Sequence, residues 1–142
     1  MPIQYSAVPA HRLVHVIYSG SIGLHDIRGF FARFNRDFSA FPTYDELCDA
    51  RGVTAIDLSV SERRALFDYI IEDYRRVNYA KRIAFVAPEP PAREIVGHIA
   101  TMFARTLPVI RFVRCDTMRE GYAHLRLPDA FRLPEAMKWD AR

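Results

Sequence analysis

IAFVAPEPPAREIVGHIATMFARTLPVIRFVRC, residues 83–115, contains a complete strand–helix–strand unit. Ile83-Ala84-Phe85-Val86-Ala87 is apolar without interruption, the pattern of an interior parallel strand covered on both faces. Pro88, Pro90 and Pro91 end it, and proline suits the start of a helix, where its missing N–H costs nothing. Ile95, Ile99, Met102 and Phe103 then mark the apolar face of a helix that stops before Pro108. Val109 to Cys115 returns as a strand, and Arg111 and Arg114 within it place it at or near a sheet edge. A strand, a helix and a second strand of this kind form a right-handed crossover in a parallel sheet.

The chain on the amino-terminal side repeats the unit. Ser59-Val60-Ser61-Glu62 sets an N-cap serine three residues before a glutamate, so that each side chain satisfies an amide at a helix start. Leu66, Phe67, Ile70, Ile71, Tyr74 and Val77 give this helix a broad buried face, and it ends near Asn78. Tyr44 to Ala50 reads as a strand bounded by a turn at Arg51-Gly52. Leu24, Ile27, Phe31, Phe34, Phe38 and Phe41 recur at steps of three and four on an earlier helix, ended by Pro42. Ile3–Val8 and Arg12–Tyr18 are β-rich segments joined by a hairpin-like turn at Pro9-Ala10-His11, so the sheet begins antiparallel. Ser19-Gly20-Ser21-Ile22-Gly23 reads as a sharp reversal from the second strand into the first helix, with glycine supplying the backbone freedom. Beyond Cys115, Thr117–Leu125 reads as a last short helix capped by Asp116 or Thr117.

The expected fold is therefore α/β, a mostly parallel five-stranded sheet with successive strand–helix turns and an antiparallel N-terminal strand. At 142 residues one domain is expected over residues 1–126. Residues 127–142 form a tail with Pro128 and Pro134. Leu127, Phe131, Leu133, Met137 and Trp139 make it too apolar for an idle linker, so it packs on the domain or on a partner subunit. A self-complementary apolar surface of this kind also suits a homodimer.

Composition narrows the function classes. Twenty basic against 17 acidic side chains give a net charge of +3, too small an excess to call for nucleic acid. All but Lys81 and Lys138 of the basic residues are arginines, which favour fixed, forked ion pairs. Cys48 and Cys115 are far apart and lack the spacing of a redox or metal motif, and with no signal peptide a cytoplasmic setting is expected. No apolar run is long enough for integral membrane association. His11, His15, His25, His98 and His124 show no metal-ligand spacing, so neither a metal nor a cofactor is expected.

IYSGSIGLHDIRGFFARF, ELCDARGVTAIDLSVSE, RIAFVAP and VIRFVRCDTMREGYAHL together resemble bacterial SpoIIAA-like domains of the STAS/SEC14 type, over roughly residues 3–126. The resemblance implies the same α/β fold, used for regulatory switching in one branch and for binding hydrophobic or anionic ligands in others. It implies no single reaction. In the anti-sigma-factor antagonist branch a phosphorylatable Ser or Thr follows an Asp at the start of the second helix. The nearest match here, Asp57-Leu58-Ser59-Val60-Ser61, departs from that pattern.

Ser59 is a helix cap on the plain reading and a phosphoacceptor on the sharper one. Gly20 and Gly23 serve a tight turn, or else present backbone amides to an anion. Asp49 and Arg51, expected near the carboxyl end of the third strand, pair with each other or hold a polar ligand there. No catalytic residue is assigned. The chain reads as a non-enzymatic regulatory or protein-interaction domain with a protein or small-ligand partner. One alternative is a carrier or sensor whose Phe-rich first helix encloses an apolar ligand while Arg51 meets its anionic end. Another is an enzyme assembled only in the fold, from Asp49, Cys48 and a histidine.

Overall fold

The computed structural model describes residues 2–37, 43–77 and 80–133. Its order is β1 (Ile3–Val8), a 3₁₀ turn at Pro9–His11, β2 (Leu13–Gly23), α1 (Leu24–Asp37), β3 (Asp45–Asp57), α2 (Val60–Val77), β4 (Lys81–Val86), α3 (Ala92–Thr106), β5 (Ile110–Cys115) and α4 (Met118–His124). The strands form one sheet in the order β1-β2-β3-β4-β5. β1 runs antiparallel to β2, and the other pairs are parallel. The α/β architecture expected from the sequence, a mostly parallel five-stranded sheet with an antiparallel first strand, is the one observed, and the arginine-bearing β5 lies at an edge.

Because β2 to β5 follow one another across the sheet, three right-handed crossovers progress in one direction and must lay α1, α2 and α3 on the same face. That face holds the larger core, in which Phe30, Leu66, Ile83 and Phe103 are almost wholly buried. Strand alternation sends Leu47, Ala84 and Val86 to the opposite face, where Leu125 and Phe131 cover them together with α4. Gly121 lets α4 sit close, since a Cβ there would stand 3.1 Å from Leu47 Cδ1. Thr117, rather than Asp116, caps this helix, its Oγ1 accepting from the Glu120 amide at 3.1 Å. The tail after α4 rests on the same face as far as it is described: Phe131 meets His11 and Tyr122 edge to face. Met137 and Trp139 lie outside the described residues, as do Phe38 and Phe41 of the α1 stripe.

Two expectations fail at one place. The predicted reversal at Ser19–Gly23 and the predicted turn at Arg51-Gly52 are both strand. β2 continues to Gly23 beside β3, which continues to Asp57, with register shifts between Ile17 and Ser19 and between Gly20 and Ser21. Gly20, at φ +73°, uses its backbone freedom inside the strand, where the pairing with β3 shifts register, and not for a reversal. β4 pairs with β3 only over Glu46–Asp49, and β1 reaches only Tyr18 of β2. A two-stranded ribbon therefore runs past its neighbours at the carboxyl end of the sheet.

At the amino end two non-glycine residues adopt left-handed backbone, Arg12 at φ 49° and Arg126 at φ 57°. Arg12 closes the 3₁₀ turn, donating its amide to the Pro9 carbonyl. Arg126 ends α4 in a paired arrangement, its amide on the Ala123 carbonyl and the Leu127 amide on the Tyr122 carbonyl. Glycine is the residue that such a helix end ordinarily selects, because a side chain there costs about 1–2 kcal/mol.

Candidate functional site

The ribbon defines the candidate site. Along β3 beyond Asp49, the edge that β4 occupies earlier has no strand beside it among the described residues. An open edge of this kind presents unpaired amides and carbonyls to another chain. Its outer positions Gly52, Thr54 and Ala55 are exposed, whereas Val53 and Ile56 turn toward the helices. There they border an apolar cavity of about 80 Å³ whose wall includes Leu58, Ile95, Val96 and Ile99. Val60, next to this edge at the start of α2, is 88% exposed, unusual for an aliphatic side chain.

Ser59 holds α2 in place. Its Oγ accepts from the Glu62 amide at 3.2 Å while its own amide donates to Glu62 Oε1 at 2.9 Å. That reciprocal pair is the capping box read from the sequence. The hydrogen bond from the Ser59 backbone holds the Glu62 carboxyl below the usual carboxylate range.

Asp49 and Arg51 do meet, through a forked contact with Arg51 Nε and Nη2 at 2.9 and 2.8 Å from the two carboxylate oxygens. Burial raises the Asp49 pKa, but the Arg51 hydrogen bonds outweigh it and leave the carboxyl below its ordinary value. Their setting differs from expectation. They lie within β3 rather than at its end, on the α4 face with Leu47, whereas α1 and its phenylalanines cover the other face. Arg51 therefore cannot meet the anionic end of a ligand held under α1. The same alternation separates Cys48 from Asp49, so they do not share a site. Burial also pushes the Cys48 thiol well above its usual value, leaving no reactive thiolate. Cys115 is raised to about 11, again by burial. Gly23 has no spare amide for an anion, because its N–H donates to Asp26 Oδ2 at 2.8 Å.

Sequence reading missed two buried polar groups. Glu46 accepts from Lys81 Nζ at 2.8 Å and from the Tyr74 hydroxyl at 2.7 Å, and all three side chains are in the core. The other is His15, 3% exposed, with neither ring nitrogen hydrogen-bonded among the described residues. Burial lowers the His15 pKa below 6.5, with Arg51 adding to the effect and Asp49 opposing it.

The unfolded chain takes up this proton near pH 6.5 and the folded chain only at lower pH, so stability is full above about 6.5 and declines as pH falls below it. The slope is at most about 1.4 kcal/mol per pH unit. Urea unfolding of His15→Leu at pH 7.5, 6.5 and 5.5 (values chosen about the reference pKa) is expected to show a flatter decline than the parent. It should also show about 1 kcal/mol more stability at the highest pH, because an unsatisfied buried group is gone. An unchanged slope would mean that His15 is solvated in the folded state.

Comparison with known proteins bears on the fold. No protein-family model matches the chain, and no curated protein does. Among solved structures it is similar to the anti-sigma factor antagonist SpoIIAA in its unphosphorylated form, with TM-score 0.52 and 14% identity over 87% of this chain and 97% of that one. At that identity the likeness is one of fold. No described helix is long and apolar enough to cross a membrane.

Proposed function

We propose that this chain is a non-enzymatic, regulatory protein-interaction domain that receives an extended segment of a partner protein on the open edge of β3, from Ala50 to Asp57. The size of the adjoining cavity carries this reading. Pockets for small organic ligands occupy about 300–1,000 Å³, and a dry cavity of about 150 Å³ admits benzene. At about 80 Å³ the cavity beside the ribbon is too small for a lipid and suits a single aliphatic side chain. A strand added to a sheet edge gains main-chain hydrogen bonds, and an apolar side chain seated in a neighbouring pocket supplies an anchor and specificity. The likeness to an anti-sigma factor antagonist, a protein that acts on other proteins, agrees with this. The reading is tested by placing a photo-activated cross-linking residue at the exposed Thr54 and identifying what it captures in the cells that make the protein.

A further inference from the structure

A broad polar groove lies at the other end of the sheet. It has a volume of about 600 Å³ and is formed where the parallel strands begin and where the chain leaves α4. Arg12, Lys81, Arg82, Arg111 and Arg126 line it, against the single carboxylate of Asp45. Lys81 is engaged with Glu46, and Arg82 with Asp45 at 3.2 Å. Arg12 donates to Thr43 Oγ1 and lies over the Tyr44 ring, but neither contact is with an acid. Arg12, Arg111 and Arg126 thus have no carboxylate partner among the described residues.

A second, independent observation concerns the backbone. Arg12 and Arg126 are the non-glycine residues that adopt left-handed φ among those described, and both line this one groove. Glycine would relieve the strain at each position, yet each carries a forked cation. Unrelieved backbone strain of this sort collects at ligand clamps. The volume lies in the range of small-ligand pockets, unlike that of the apolar cavity.

We propose that this groove is a binding site for a small phosphate-type oxyanion, clamped by the guanidinium groups of Arg12, Arg111 and Arg126. Planar guanidinium forks match the oxygen geometry of a phosphate and remain charged throughout the physiological range. The site is separate from the β3 edge and stands whether or not a partner docks there.

Calorimetric titration of the whole chain at low salt with inorganic pyrophosphate, inorganic phosphate and glycerol phosphate tests it. Saturable binding of at least one probe is expected, and a preference for glycerol phosphate over inorganic phosphate would identify an ester as the natural form. The double variant Arg12→Gly/Arg126→Gly is expected to bind at least tenfold more weakly, while its melting temperature stays level or rises. Arg64→Gln, on the exposed side of α2, serves as a charge control and should bind as the parent does. Should the glycine variant melt lower, Arg111→Gln decides, because that exposed strand position is unstrained. No saturable binding of any probe would overturn the proposal. So would an equal loss in Arg64→Gln, which would reveal an unspecific charge effect, or parental affinity in both the glycine variant and Arg111→Gln.

Discussion

Replacing Lys81 by Met is expected to lower the stability of the domain by about 3–5 kcal/mol, the usual cost of leaving one partner of a buried ion pair behind. The side chains of Lys81 and Glu46 are 5% and 3% exposed, so water cannot take the place of the lost ammonium group. Among the described residues Tyr74 would remain the sole donor to the Glu46 carboxylate, and its own hydroxyl is already held un-ionised by burial. Against a typical total of about 5–15 kcal/mol for a domain, such a loss would leave the variant marginal. Adding Glu46→Leu removes the stranded charge and should restore most of the stability, because an apolar pair often does as well as a buried salt bridge. Urea midpoints of parent, single and double variants measure this. A single variant within about 1 kcal/mol of the parent would show that the pair is hydrated and contributes no more than a surface bridge.

Phe103→Ala should be about as damaging, at about 3–5 kcal/mol, from loss of apolar burial and from the cavity it opens. Phe103 is 1% exposed and fixes α3 to the sheet: its ring stacks on Phe112 at 5.3 Å and meets Tyr74 edge to face at 5.4 Å. It also lines the apolar cavity, which truncation would enlarge toward the roughly 150 Å³ that accepts benzene. Saturating benzene is therefore expected to raise the melting temperature of Phe103→Ala and to leave the parent unchanged. A parent stabilised by benzene to the same degree would mean that its cavity already admits small apolar molecules, which would favour a carrier or sensor of apolar ligands.

The parts of the fold that follow from local chemistry were legible. Apolar runs, helical stripes, the Ser59–Glu62 capping box and the prolines before α3 mark the alternation of strand and helix, and with right-handed crossovers that alternation leaves little choice of topology. The misread segments share a cause. Ser19-Gly20-Ser21 and Arg51-Gly52 have the composition of turns, yet they belong to a ribbon whose outer face meets water, where such residues cost little, and Gly20 sits at a register shift. The pairing of Asp49 with Arg51 was visible because it spans two positions of one strand. Which face it occupies depended on the true length of β3. Glu46 and Lys81 stand 35 residues apart, and no pattern in one sequence announces such a partner. The left-handed arginines escape for another reason: arginine carries no signal for that conformation, and a sequence reader looks for glycine there.

Photo-cross-linking at Thr54, with the exposed Glu72 of α2 as control, is the most direct measure of whether the open β3 edge receives a partner. A discrete adduct with one protein species is expected from Thr54 and not from Glu72, formed again when that protein and this chain are purified and mixed. No adduct from Thr54, or the same set of adducts from both positions, would contradict docking at the edge.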